Sequence, residues 1–426
     1  MDISSLSQNL DEFVSQIGRS SERPMSFEDS LNELIEFLRS VLNEKGIRIT
    51  YEPPANISRR EDTKIVLSVN KHKADFDVPL VRECGGIVLS IRHPVRRILS
   101  AGSSSEPVVS EKWTWRWLAV PPGEFGPNPP KRVLKSNLTK GKYKVFEAID
   151  GTTVCLYNHS GGWHMSTKNG YDVTNLSWRG ITYNRALREV LSQYKEFSWG
   201  NLNPECCYTI GFRHPIHHPF QPAKKAWFIS ACNTLTMEDA DNVTGLEEQR
   251  VVEEDLPGIL HKAENALATW EDVKEANYGY VLRSQDPTKP DLFIESTLMC
   301  RIREFIYHMK FIPSREKRIK SKQLFSNIKY VVLRAYLDPV RRELFIRLFP
   351  QFQHIYDDLD VFINKLVQKI TRPKADFEVD PTFLDRIRIY LNKEHPRISS
   401  RTKTSIIRDV LTTSILLDLY AEYLLD

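Results

Sequence analysis

The spacing of apolar positions divides the chain into stretches of different character. Between Ser26 and Gly46, the residues Leu31, Leu34, Ile35, Leu38 and Leu42 recur every three or four positions and share one helical face. Ser26-Phe-Glu-Asp29 has the residues of a helix start, and Gly46 supplies a stop. That face suits a packing helix or one that binds a partner. Ahead of it, residues 1–25 are polar and expected to be loose, with one short apolar period at Leu10, Phe13 and Ile17. From Ile47 the pattern changes to runs rich in Val, Ile, Thr and aromatic residues. Ile47–Tyr51, Thr63–Val69, Gly86–Ile91 and Trp113–Val120 read as strands. Gly102–Ser105 reads as an exposed loop, and Val120–Pro130 holds too many Pro and Gly for regular structure. Residues 131–300 continue as mixed strands and helices. A helix is expected over Tyr183–Tyr194, with Ala186, Leu187, Val190 and Leu191 on one side.

After about residue 298 the period becomes helical throughout. Ile302, Phe305, Ile306 and Met309 begin it, and helices are expected over 321–336, 340–370, 382–392 and 404–424. Pro313, Pro339, Pro373 and Pro396 mark the joints. The pattern predicts an N-terminal helical extension over 1–46, an α+β core over 47–300 and a helical domain over 301–426. At 426 residues the chain has room for such a division. Its 41% apolar and 27% charged residues fit a soluble globular protein, and an intracellular, cytoplasmic location is expected. No apolar run approaches the eighteen residues of a membrane span, and the first residues lack the form of a signal peptide. Six cysteines in a chain of this length read as reduced thiols. A net charge of +4 points to nucleic acid only where the basic residues cluster.

They do cluster at Lys310, Arg315, Lys317, Arg318, Lys320 and Lys322, followed by Lys329, Arg334, Arg341, Arg342 and Arg347. Such a run binds RNA or another polyanion through phosphates without reading bases, or forms a solvated face or protein contact. Trp113, Trp115 and Trp117 alternate along one strand face and suit either the core or a stacking surface. Cys206, Cys207, His214, His217 and His218 invite a zinc reading. Adjacent cysteines in a strand point to opposite faces, however, and the histidine segment has the form of a loop, so no metal site is expected. The acidic positions Glu238, Asp239 and Asp241 lack calcium-loop spacing.

One stretch organises the core. Lys142–Tyr157 reads as two strands with a tight junction at Asp150-Gly151. Within it, Glu147-Ala-Ile-Asp-Gly151 resembles the nucleotidyl-attachment motif Lys-x-Asp-Gly of the phage-type ATP-dependent RNA ligases, with Ala148 in the place of the lysine. Other segments resemble that family in its order. Arg82-Glu-Cys-Gly-Gly-Ile-Val-Leu89 puts Gly85 where the family has arginine. In Trp117–Asn128, Val120 and Glu124 stand for an arginine and a lysine. Trp163–Gly170 retains Lys168. Tyr208–Pro215 puts Gly211 at the glutamate that grips the ribose. Tyr278-Gly-Tyr-Val281 has Tyr278 for a glutamate, and Leu292–Ser296 has Phe293 and Glu295 for two lysines.

The resemblance implies a nucleotidyltransferase (ATP-grasp-like RNA ligase) core of antiparallel sheets with helices, followed by an all-helical C-terminal domain. It also implies lost chemistry. In this family a lysine amine attacks the α-phosphate of ATP, and Ala148 has no nucleophilic atom. The transition state also needs cations placed in advance, which Phe293 and Glu295 do not supply. Lys168 is the nearest stand-in for the lysine. The expected function is therefore a catalytically inactive relative, associated with RNA or acting as a scaffold, and a virion or viral assembly would suit such a role. No cofactor is expected. ATP and Mg would be needed only for the alternative, an RNA ligase that joins 5′-phosphate and 3′-hydroxyl ends with a displaced lysine. A purely structural subunit with a protein partner, or a homo-oligomer, is the third reading.

Overall fold

Among the described residues, three antiparallel sheets of three or four strands, each covered by helices on one face, and one two-stranded pair build the first part of the chain. The computed structural model describes residues 2–17, 27–51, 62–70, 73–92, 114–123, 125, 143–148, 151–178, 180–218, 223–253, 256–264, 279–285, 291–297, 328–372, 375, 377–394, 404–413 and 416–424. The chain divides into two units, Met1–Asn265 with Asn277–Ser296, and Ala266–Ala276 with Thr297–Asp426.

The first unit opens with helices α1 (Ile3–Ile17) and α2 (Phe27–Leu42). Strands β1 (Ile47–Tyr51) and β2 (Asp62–Val69), helix α3 (Pro79–Glu83), and strands β3 (Gly85–Arg92) and β4 (Thr114–Ala119) follow, and the strands pair in chain order. Strand alternation gives this sheet two apolar faces. Ile65, Leu67, Leu89 and Trp117 pack against Leu6, Leu10, Leu34 and Leu38 of the two helices. Val66, Val88 and Leu118 face the next sheet. The expectation that residues 1–25 are loose fails over Ile3–Ile17, which form a regular helix. The Asp2 carboxylate accepts from the Ser5 amide at 2.7 Å and caps its start. The apolar stripe begins at Leu6, and the Ser and Gln residues that suggested looseness fill the other face. Trp115 and Trp117 donate indole N–H bonds to Asp11 at 2.9 Å and Ser7 at 3.2 Å. These two tryptophans belong to the core, not to a stacking surface.

Next come β5 (Tyr143–Ala148), β6 (Thr152–His159), β7 (Gly162–Ser166), the short pair β8 (Ser177–Trp178) and β9 (Ile181–Thr182), and helix α4 (Tyr183–Leu191). Strands β10 (Cys206–Arg213) and β11 (Lys225–Asn233), helix α5 (Leu256–Glu264), and strands β12 (Gly279–Ser284) and β13 (Leu292–Glu295) complete the unit. The second sheet runs β11-β10-β6-β7 and the third β13-β12-β5. Helix α4 covers the second sheet through Ala186, Leu187 and Val190, and α5 covers the third through Ile259 and Leu260. The strands on either side of Asp150-Gly151 therefore do not pair with each other. β5 belongs to the third sheet and β6 to the second, so this junction carries the chain from one sheet to the other.

The second unit is helical: α6 (Ile328–Tyr336), α7 (Pro339–Leu348), α8 (Gln353–Thr371), α9 (Pro381–Glu394), α10 (Thr404–Leu411) and α11 (Leu417–Leu424). The helix expected over 340–370 is interrupted at Pro350–Phe352, where Pro350 has no amide hydrogen to continue the ladder. Its core is aromatic, with Tyr336, Phe345, Tyr356 and Tyr420 buried. Asp360 accepts from the Tyr336 hydroxyl at 2.8 Å and from Arg408 at 2.7 Å. The loop expected at Gly102–Ser105 and the helical positions Ile302, Phe305, Ile306 and Met309 lie outside the described residues. Among the described residues no helix is long and apolar enough to cross a membrane.

Candidate functional site

The second and third sheets of the first unit wall a cavity of about 330 Å3. Its floor comes from the inner face of β6, β10 and β11, where Thr153, Cys155, Thr209 and Trp227 are exposed to the space. Ala148, Val281, Arg283 and Phe293 line it from the third sheet. Register explains the second set. Ala148 lies opposite Gly279, which lies opposite Glu295, while Val281 lies opposite Phe293. Residues opposite each other share a face, and so do residues two apart along a strand. Ala148, Phe293 and Glu295 thus belong to the face that borders the cavity. Phe125 packs on Phe293 with ring centroids 6.0 Å apart, and both line it.

Trp227 dominates the floor. It sits on β11 directly opposite Gly211 of β10. A methyl group on Gly211 would stand 2.1 Å from its Cε2, 2.3 Å from Cζ2 and 2.4 Å from Nε1. A methyl group on Gly151 would stand 2.4 Å from its Cη2 and 2.7 Å from the Phe212 carbonyl oxygen. The nitrogen-bearing edge of the indole therefore runs over Gly211 and on to Gly151, and fits only because neither carries a side chain. A residue with a carboxylate at 211 would need the volume that the indole fills.

The charged groups at the cavity are Lys168, Arg283 and Asp291. Lys168 sits in the turn after β7. Its backbone lies 2.6 Å from where a Cβ on Gly86 would be, and Gly86 has φ of +103°, so only glycine suits that crossing. Asp291 accepts from the Ser284 amide at 2.8 Å, and burial raises its carboxyl above the usual range. Burial lowers the Arg283 guanidinium, opposed by the negative charge of Asp291. Lys144 is exposed and lies over the Phe146 ring at 5.3 Å. A further row of thiols, Cys155, Cys207 and Cys232, crosses the same sheet. Contact with Cys155 is the largest influence pushing the Cys207 thiol up, and contact with Cys207 is the largest pushing Cys232 up. These two thiols stay protonated and are poor nucleophiles.

The structure thus brings together Ala148, Lys168 and Phe293 around one cavity, with Gly211 and Gly151 beneath the indole on its floor. Glu295 adjoins it in the row of Ala148. Asp150 and Tyr278 lie outside the described residues, as do Lys310, Arg315, Lys317, Arg318, Lys320 and Lys322. Arg341 and Arg342 fall in α7. Arg342 donates from Nε to the Tyr336 carbonyl at 2.8 Å and lies 4.0 Å over the Tyr336 ring. Trp227, Thr153, Thr209, Arg283 and Asp291 are among the cavity residues that sequence reasoning missed. Trp227 meets Gly211 only through strand pairing, which no local signal announces.

The histidine segment forms a separate structural cluster. His214 bonds Glu189 at 3.0 Å, and Glu189 also receives Arg185 at 3.0 Å and Lys224 at 3.3 Å. These bonds, that of His214 foremost, lower the Glu189 carboxyl to about 2. The buried His217 ring lies among Trp178, Tyr183 and Phe212, at 4.8, 5.3 and 6.3 Å. Cys206 faces α4 while Cys207 faces the first sheet. Among the described residues no group of three His, Cys, Asp or Glu side chains is placed to hold a metal ion.

No protein-family model matches the chain. It is 26% identical over 339 residues to a protein of African swine fever virus, strain Badajoz, named "Putative RNA-ligase", covering 68% of this chain and 72% of that one. It is 26% identical over 133 residues to an Autographa californica nuclear polyhedrosis virus protein named "Putative bifunctional polynucleotide kinase/RNA ligase", covering 31% of this chain and 17% of the other. Among solved structures, an archaeal ATP-dependent RNA ligase is 14% identical, with 84% of this chain and 87% of that one covered, at a TM-score of 0.38. The sequence matches relate the chain to viral proteins named as RNA ligases.

Proposed function

We propose that this chain is a non-catalytic relative of the RNA ligases that associates with RNA. One observation carries the reading: the cavity wall presents the Ala148 methyl group where nucleotidyl transfer requires an amine. Two neighbours support it. The indole of Trp227 fills the space above Gly211, so the grip on a ribose is lost together with the attacking group. Phe293 lines the cavity where a cation would be needed to spread charge over phosphate oxygens. The names of the viral relatives favour RNA as the partner.

The test has two arms. Incubation with α-labelled ATP and Mg should leave no adenylate on the protein by mass spectrometry. Single-stranded RNA should bind, with log affinity falling linearly against log salt concentration. An adenylated lysine would end the non-catalytic reading, and absence of binding at every salt concentration would end the RNA reading.

A second reading rests on Lys168, which lines the same cavity as Ala148. A ligase with a displaced nucleophile would form its adduct there, and Lys168→Met would abolish the adduct.

A further inference from the structure

We infer that the cavity takes one unpaired base of an RNA strand, in place of the mononucleotide for which such a pocket would otherwise be built. The inference rests on the RNA association proposed above. The cavity has about 330 Å3, at the small end of the roughly 300–1,000 Å3 typical of ligand pockets. That volume accommodates a planar heterocycle and leaves room for the sugar that carries it. Three aromatic side chains border it, Trp227 on the floor and Phe125 with Phe293 on the wall. Aromatic walls bind bases through their faces, at about 1–3 kcal/mol per stacked base. The hydroxyls of Thr153 and Thr209 supply the few polar contacts that a base edge can use.

The charges argue against a free nucleoside triphosphate and for a base carried on a strand. Lys168 and Arg283 stand against one carboxyl, Asp291, so with that carboxyl ionised the three leave a net charge of +1. That balance matches the single negative charge of a phosphodiester. It does not match the several charges of a triphosphate, which would also approach Glu295 in the row of Ala148. With no side chain at Gly211 to hold a sugar, a free nucleoside would be bound by its ring alone. A base on a strand is held as well by backbone phosphates outside the cavity.

A single-stranded RNA carrying one 2-aminopurine tests this on the full chain. Its fluorescence should change saturably on binding, and an otherwise identical strand with an abasic site should bind at least tenfold more weakly. Thr153→Trp and Ala148→Leu fill the cavity from opposite walls. Each should bind the intact strand no better than wild type binds the abasic one, with an unchanged salt slope. Thr153 is exposed, so its variant should fold, and the abasic comparison needs no variant at all. Equal affinity for intact and abasic strands would overturn the inference and leave RNA association standing. Binding of ATP or of the free 2-aminopurine riboside as tight as that of the strand would overturn it in favour of a mononucleotide site. Failure of every RNA to bind would remove the underlying reading itself.

Discussion

Gly211→Ala is the sharpest probe of the cavity floor, because its sign depends on one other residue. Gly211 has ordinary strand backbone, so alanine meets no conformational strain there. Considered alone, the substitution should stabilise the chain by about 0.4–1 kcal/mol by restricting the unfolded state. The indole of Trp227 reverses this. The new Cβ would stand 2.1 Å from Cε2, whereas carbon atoms rest at about 3.5–4.0 Å. The indole is 3% exposed and borders the cavity, so it relieves the clash only by swinging out of its place on the floor into that space. Such overpacking costs about 1–3 kcal/mol, more than the entropic gain. Gly211→Ala should therefore destabilise wild type and be neutral or stabilising in a Trp227→Val background. Urea unfolding of the four proteins of this cycle, followed by far-ultraviolet circular dichroism, measures the coupling. Because the chain has two units, the comparison is made on the transition that both single variants move. Equal penalties for Gly211→Ala in the two backgrounds would refute the argument that the indole occupies this space.

Four further outcomes follow from named contacts. Glu189 is lowered to about 2 from 4.5, so its contribution to stability is fully present above pH 4.5 and is lost as pH falls toward 2; the melting temperatures of wild type and Glu189→Gln should differ at neutral pH and converge near pH 2. Asp62 is lowered chiefly by its bond to His159, 2.7 Å away, so Asp62→Asn should show the same convergence on acidification. Leu10→Ala should cost about 2–5 kcal/mol in chemical unfolding, since Leu10 is fully buried between α1 and the first sheet; a cost under about 0.5 kcal/mol would mean that α1 is only loosely attached. Ala148→Lys alone should give no adenylate by mass spectrometry, because it restores the amine and none of the missing cations.

Much of this organisation was legible in the sequence, for identifiable reasons. Near-continuous apolar runs such as those in Thr63–Val69 and Gly86–Ile91 announced the first sheet because both its faces are apolar. The period in Leu31–Leu42 announced α2 because one face is packed and the other is wet. Helix α1 escaped because its outer face is serine and glutamine, so composition concealed a stripe that starts at Leu6. The break in 340–370 escaped because Pro350 falls within an otherwise helical period. At the site, Ala148 and Phe293 could be found in segments that resemble known motifs. Trp227 could not, because its relation to Gly211 and Gly151 exists only once β11 has paired with β10 and β10 with β6. The same holds for the junction at Gly151: local turn chemistry marks a reversal, and only long-range pairing decides that the two strands enter different sheets.

The persistence of open volume separates a binding protein from a purely structural one. Cores favour close packing, and Trp227 and Phe293 already fill parts of this region, yet about 330 Å3 remains between the second and third sheets. Ala148→Leu makes the distinction measurable. The added side chain enters the cavity from the end of β5, and each newly buried methylene contributes about 0.8 kcal/mol. The substitution adds three carbons, so an unstrained fit should raise stability by about 2 kcal/mol. The same substitution should abolish the discrimination between intact and abasic RNA. A gain in stability with a loss of recognition is the trade expected where a site is kept open for a ligand. A gain in stability with RNA recognition unchanged would instead place recognition elsewhere on the chain. A loss of stability would show that the space beside Ala148 is too constrained to admit a side chain, and with it the base that we assign there.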